Sequence, residues 1–173
     1  MILADYGAAR VHIVVSRDAG PAALFAAGEL SRYLNRITGA DFRIISDDMG
    51  FKGAEPAYLC VGSTTLPGAP DLSMLKNDGV RIASAGNTLF ILGENDRAVV
   101  HGVYLFLEEC CGCRFFTDTV EHVPSRSYLA VEPVDRVFVS PFEYREVFGN
   151  MPYHDDTFPA KRGLNGNNYQ LPP

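Results

Sequence analysis

Apolar positions along the chain repeat with two different periods, and the change from one to the other marks its elements. Val11–Ser16 is a short β-branched run and predicts a buried strand. Asp18 and Pro21 then give a helix-start signal, because proline in a first turn lacks only an N–H that would have no partner there. From that point Leu24, Ala27, Leu30, Leu34 and Ile37 recur at steps of three and four, the spacing of one helical face. Arg32 and Arg36 favour the negative end of that helix, and Gly39 can take the left-handed conformation that closes it.

Phe42–Ile45 and Ala57–Val61 read as the next two strands. Residues 64–77 carry Pro67 and Pro70 and predict a loop with one turn around Leu72–Leu75. Val80–Ser84 and Thr88–Leu92 flank a Gly86–Asn87 turn, which predicts an antiparallel hairpin. A second helix is expected from an Asp96 cap to about Cys111, closed by Gly112, with an apolar surface wide enough to lie against a sheet. Cys113–Phe116 and Tyr128–Val131 complete the strands of a first unit. Strands and helices alternate irregularly, so the expected class is α/β, a mixed β-sheet packed by helices in a two- or three-layer sandwich.

The pattern changes near Val134. Val137–Val139 and Pro141 lead into one strand-like run, Phe142–Phe148, Ala160–Leu164 suggests one turn of helix, and the remainder is rich in glycine, asparagine and proline. The expected division is residues 1–134 as an α/β domain and 135–173 as the beginning of a second unit. Alternation in Phe142–Phe148 puts Phe142, Tyr144, Glu146 and Phe148 on one side and Glu143, Arg145 and Val147 on the other. Its charges either stay wet at a sheet edge or line a polar cavity, since burial without partners is costly.

Composition narrows the classes. The chain has 173 residues, with 21 acidic against 15 basic side chains and a net charge of −6. Such a chain lacks the basic footprint of a nucleic-acid binder. No apolar run approaches a membrane span, the longest candidate, Ala98–Leu107, being interrupted by His101 and Gly102. The N-terminus carries no basic stretch followed by an apolar one, so no signal peptide is expected in it.

Candidate chemistry is sparse. Cys110 and Cys113 have a C-x-x-C spacing, but a redox pair requires the positive end of a helix, and this motif straddles a helix C-terminus. A structural zinc site requires about four ligands, and no second pair supplies them. Buried, inert thiols are the simpler reading for Cys110, Cys111 and Cys113, and Cys60 falls in mid-strand. His154–Asp155–Asp156 has the residue types of a metal site, but a solvated acidic loop is the simpler reading. Glycoside chemistry requires two carboxyls held across a sugar. The doublets Asp47–Asp48, Glu108–Glu109 and Asp155–Asp156 have no partner that spacing can nominate. No nucleotide-binding or nucleophile-elbow motif is present, and no metal or other cofactor is expected.

One combination of motifs is more specific. Asp78–Gly79–Val80–Arg81–Ile82, the hairpin, Leu92–Gly93, His101–Gly102–Val103–Tyr104–Leu105–Phe106–Leu107–Glu108 and Gly112–Cys113–Arg114–Phe115–Phe116 occur in order. Together with Ala27–Gly28–Glu29–Leu30, Ile37–Thr38–Gly39 and Glu121–His122–Val123–Pro124 they resemble the N-terminal domain of α-glucuronidase-like (family 67-like) glycoside hydrolases and related bacterial proteins of unknown function. The resemblance covers about residues 10–135. It implies a non-catalytic accessory α/β sandwich, similar to one in family 20 hexosaminidases, packed against a (β/α)₈ barrel that carries the catalytic carboxylates. By that resemblance Pro141–Glu146 is the first barrel strand, and Ala160–Asn167 leads into the helix after it. Arg145 and Glu146 would then face sugar hydroxyls, with Asn165 and Asn168 as weaker substrate-binding candidates, and the acid, base or nucleophile would lie outside these 173 residues. Carbohydrate would be met through the barrel, in the periplasm or at the cell surface, although adjacent unpaired cysteines do not favour an oxidising compartment. Two other readings remain: a stand-alone glycan-binding module, and a thiol or metal module built on Cys110, Cys111 and Cys113.

Overall fold

The structure is a computed structural model and describes residues 1–49, 57–147 and 157–166. Its elements in chain order are β1 (Ile2–Asp5), β2 (Ala8–Ala9), β3 (Val11–Val15), α1 (Pro21–Thr38), β4 (Ile44–Ser46), β5 (Ala57–Val61), β6 (Val80–Ala85), β7 (Thr88–Gly93) and α2 (Asp96–Phe106). A π-helical turn over Leu107–Cys111 continues α2. The chain goes on through β8 (Arg114–Phe115), β9 (Glu121–His122), β10 (Tyr128–Ala130), β11 (Asp135–Phe138) and α3 (Phe158–Lys161).

Six strands form the central sheet in the order β11-β6-β7-β5-β3-β4. The β3–β4, β3–β5 and β5–β7 pairs are parallel, whereas β6 runs antiparallel to both β7 and β11. The sheet is therefore mixed, as expected. Strands β3, β5 and β7 are apolar at nearly every position because both of their faces are covered. Ile13, Val15, Leu59, Val61, Leu89 and Ile91 belong to the main core with α1 and α2. Val14, Tyr58, Cys60, Phe90 and Leu92 face the other way and pack with Leu66 from the loop after β5. Both long helices thus share one face, and a loop covers part of the other.

The α1 pattern is confirmed with one exception. Ala27, Leu30, Leu34 and Ile37 are buried, but Leu24 is half-exposed. Each fully buried leucine contributes roughly 1.5–3 kcal/mol over its exposed state. Gly39 closes the helix at φ 73°, its N–H donating to the Asn35 carbonyl at 2.7 Å. The β6–β7 turn has positive φ at Gly86, the first of its two central residues, as a type II′ hairpin requires. The α2 cap differs by one residue from expectation. Asn95 is the extended residue, and its side chain accepts the Ala98 N–H at 3.0 Å, leaving Asp96 as the acid of the first turn.

Beyond Val134 the structure departs further from the sequence reading. Asp135–Phe138 pairs with β6, Phe138 opposite Val80, so the central sheet continues past the expected boundary. Within the expected strand Phe142–Phe148, the described residues 142–147 form no strand at all. Their backbone groups bind Asn165, through its side chain and its own backbone, instead of a neighbouring strand. The Arg145 N–H donates to Asn165 Oδ1 at 2.7 Å, and the Glu143 carbonyl accepts from Asn165 Nδ2 at 2.7 Å. Two small sheets, β10-β1-β2 and β8-β9, are the other sheets among the described residues.

Candidate functional site

A polar knot forms where the loop before β6, the start of α2 and the C-terminal segment meet. Asn77 and Asp78 both take left-handed backbone conformations, at φ 56° and 58°. Asparagine and aspartate tolerate that region better than most residues. The turn aims the Asp78 carboxylate inward, where only 6% of its side chain stays exposed. Its Oδ2 accepts from Arg145 at 2.8 Å and from Asn165 Nδ2 at 2.7 Å, and its Oδ1 accepts from Asn95 at 2.8 Å. Arg97 approaches Oδ1 at 3.5 Å, and the Asp78 N–H donates to Glu94 at 2.9 Å. Burial raises the Asp78 pKa, but the asparagine donors and the Arg97 and Arg145 charges outweigh it and hold the carboxyl below its ordinary value.

Arg145 is saturated by the same knot. Besides Asp78 it donates to the carbonyls of Gly163 at 2.6 Å, Phe142 at 2.8 Å and Asn77 at 3.1 Å. Asn165 closes the ring by donating its own N–H to the Arg145 carbonyl at 2.9 Å. The structure thus brings Arg145 and Asn165 together, as partners of each other and of Asp78. Glu146 lies alongside, with the Tyr144 hydroxyl donating to it. Gly166 packs so close to Glu146 that an added Cβ would fall 2.5 Å from its carboxyl carbon. Asn168 and the His154–Asp155–Asp156 run lie outside the described residues. Asp78, the centre of the arrangement, was not singled out from sequence, although Asn77–Asp78–Gly79 is a left-handed turn signal.

The α3 segment docks next to this knot. His101 Nδ1 lies 3.1 Å from the Ala160 carbonyl, and since a carbonyl only accepts, Nδ1 carries the proton. Gly163, at φ 64°, lies against the ring, and a Cβ there would meet it at 2.7 Å. Lys161 is only 6% exposed, against the rings of Tyr104 and Phe115 and 3.9 Å from Glu121. Tyr33, Tyr104 and Phe115 form an edge-to-face trio, with the Tyr33 hydroxyl on Glu121 at 2.6 Å and that of Tyr104 on Glu29 at 2.7 Å.

Burial and the nearby charges of Arg145 and Arg162 outweigh the Ala160 contact and the Asp78 charge, lowering the His101 pKa to about 4. An unfolded histidine titrates near 6.5, so between these values the folded state holds fewer protons than the unfolded one. This contribution is complete above about pH 6.5 and is lost as the pH falls toward 4, reaching about 3 kcal/mol. Urea midpoints measured from pH 7.5 to 4 should therefore fall across that window. The fall should be smaller in His101→Asn, whose amide nitrogen stands where Nδ1 does and keeps a donor for Ala160 but does not titrate.

The remaining chemical candidates are engaged structurally. Burial pushes the Cys60 thiol up to about 12 and that of Cys113 to about 11, and raises Cys110 and Cys111 as well, so none has the low pKa of a reactive thiol. Among the described residues no three histidine, cysteine or carboxylate side chains gather as metal ligands, and no helix is long and apolar enough to cross a membrane. Asp47 accepts the Arg17 and Thr65 N–H groups and the Thr64 and Thr65 hydroxyls. Glu108 lies 3.5 Å from Arg162, and Glu109 lies 3.0 Å from Arg136. Asp47, Asp71, Asp78 and Glu121 are all shifted downward, opposite to a general acid.

Two open clefts flank the knot. One, of about 410 Å³, runs along β11 past His101, Arg145 and Arg162. The other, of about 480 Å³, lies between the Lys76–Asp78 turn, the start of α2 and Glu143–Tyr144.

No protein-family model and no curated protein matches the sequence. Solved structures match by fold. The chain is similar to a family GH115 4-O-methyl-α-glucuronidase with specificity for decorated arabinogalactans, at 15% identity and a TM-score of 0.57, over 84% of this chain and 19% of that one. It is also similar to a Streptomyces plicatus β-hexosaminidase, at 16% identity and a TM-score of 0.44, over 76% of this chain and 23% of that one. The chain spans about a fifth of the length of these structures. The likeness is one of fold and rests on the first of the two. The mixed six-stranded sheet with its helices is a fold shared with part of that much longer α-glucuronidase chain.

Proposed function

We propose that these residues form the non-catalytic accessory α/β domain of a larger, carbohydrate-active, glycoside hydrolase-like protein. On this reading the segment after β11 leads into a (β/α)₈ barrel, and the barrel carries the acid and base. The observation that supports it most directly is the knot. Arg145 and Asn165 are bound to Asp78 and to each other. A guanidinium with four internal acceptors has little capacity left for a substrate hydroxyl, and it makes a firm joint between a domain and the chain that continues from it. Among the described residues, the carboxyls whose acidity is perturbed, Asp47, Asp71, Asp78 and Glu121, are all shifted downward, which agrees with an accessory role. Substrate-binding roles for Glu146 and Asn168 belong to the same proposal and would be exercised in the barrel.

The 173-residue chain should be inactive on a panel of aryl glycosides that includes aryl α-glucuronides and aryl N-acetyl-β-hexosaminides. A polypeptide carrying a complete barrel after it should hydrolyse at least one of them. Turnover by the short chain, at a rate that survives repurification, would sink the reading.

A further inference from the structure

We infer that the cleft between the Lys76–Asp78 turn, the start of α2 and Tyr144 is a binding subsite for a neutral pyranose unit of a glycan. The class of ligand rests on the carbohydrate reading above; the location rests on the cleft itself. Its volume of about 480 Å³ accommodates one or two sugar rings. Lys76, Arg97, Asp78, Glu94 and Glu143 line it, two cations and three carboxylates, and Asp78 is already paired with Arg145, so the cleft offers donors and acceptors together and no cationic field for an anion. Vicinal hydroxyls, each both donor and acceptor, match such a lining better than a phosphate or a carboxylate does. Tyr144 adds a ring, 52% exposed, on the same wall. Sugars present C–H faces to rings of this kind, and a two-torsion side chain loses little entropy on being covered.

Arg97 is the least satisfied group in this region. Its side chain is 41% exposed, and its contacts with Asp78 and with the Asn165 carbonyl are long, at 3.5 and 3.4 Å. Its Nε is buried without a partner. By contrast Arg145, one layer deeper, has short bonds at 2.6–3.1 Å to each of its acceptors. The deeper guanidinium thus fixes the floor, and the shallower one keeps spare donors at the wall. The consecutive left-handed Asn77 and Asp78 hold Lys76 at the rim.

Amide NMR spectra of the ¹⁵N-labelled 173-residue chain would be recorded with xylotetraose, cellotetraose and β-1,4-galactotetraose, and with sorbitol as an open-chain polyol. At least one tetrasaccharide should shift amides within 76–78, 94–97 and 143–144 at millimolar concentration, and sorbitol should not. Tyr144→Ala should weaken the response about tenfold or more. Tyr128→Ala, a half-exposed ring on the small β10-β1-β2 sheet, should leave it unchanged. No shift with any tetrasaccharide, shifts centred elsewhere, or equal weakening by both variants would each overturn the subsite. Those failures would leave the accessory-domain reading standing, because hydrolysis by the longer polypeptide tests it. An inactive longer polypeptide with the shifts retained would reject that reading and keep the subsite.

Discussion

Asp78→Asn should destabilise the chain by about 3–5 kcal/mol, although it changes one atom and keeps a residue that tolerates a left-handed backbone. The aspartate has 6% of its side chain exposed and Arg145 has 17%, so the pair is largely removed from water. Deleting only the negative charge leaves a guanidinium in that environment without compensation, and the penalty lies mostly there rather than in the lost attraction. Asn95 and Asn165, which both donate to the carboxylate, would also have to compete for a single carbonyl oxygen. Thermal and urea unfolding should show the loss, with a midpoint lower by roughly 10 °C or more for a chain of this size. Arg145→Met removes the orphaned cation, so the double variant should lose less than the sum of the two single losses. Limited trypsin digestion provides a local readout. Lys161 is buried by the docked α3 segment, and cutting there should accelerate in Asp78→Asn before global unfolding does. An additive cycle with unchanged digestion would show that the knot holds nothing together.

The second large effect is expected at Gly93→Ala, of about 3 kcal/mol or more. Gly93 ends β7 where the chain turns into α2, and a Cβ there would lie 2.5 Å from the Val99 nitrogen and 2.6 Å from the Ala98 carbonyl carbon. Those are backbone atoms of the first turn of a helix, capped by Asn95 and packed on the sheet, so they cannot give way as a side-chain tip would. Relief requires the helix to move away from the sheet, which opens the main core at Ala98 and Val99. Gly102→Ala makes a useful comparison. Its nearest neighbours would be side-chain methyl groups of Val80 at 2.9 Å and Ile91 at 3.2 Å, which can shift, so its loss should be smaller. Equal losses in guanidinium unfolding would mean that the β7–α2 junction is not the rigid point described.

What the sequence made legible follows from where local signals act alone. Strands β3, β5, β6 and β7 and helices α1 and α2 are long enough to carry a period, and all six were expected close to their observed limits. The pairs β1-β2 and β8-β9 went unrecognised as hairpins because their strands are only two to four residues long, too short to show alternation. The turn joining the first pair uses Tyr6 and Gly7, both with positive φ, and tyrosine is not a residue that announces such a turn. Leu24 fits the helical period but lies at the margin of the buried face, where a period alone cannot tell covered from open. The stretch 142–147 alternates like a strand yet forms none, because Asn165, about 20 residues later, takes the backbone bonds that a neighbouring strand would have made. For the same reason Arg145 and Asn165 were legible as important polar residues while their partner was not. Nothing in the spacing of Asp78, Arg145 and Asn165 reports that three separate loops converge.

The outer strands of the central sheet have a consequence for how copies of this chain meet one another. Among the described residues β4 and β11 each have a neighbour on one side only, so their other sides present backbone N–H and C=O groups of the kind on which a second molecule can add a strand. On β4 the exposed length is three residues, and Asp47 and Asp48 follow at once. On β11 half of the four residues are charged, with Asp135 bound to Arg81 on one face and Arg136 to Glu109 on the other, and Pro141 lies three residues past its end. Short length at one border and paired charge at the other discourage fibre-like stacking through either edge, so a sheet built from such apolar strands can remain a sheet of six.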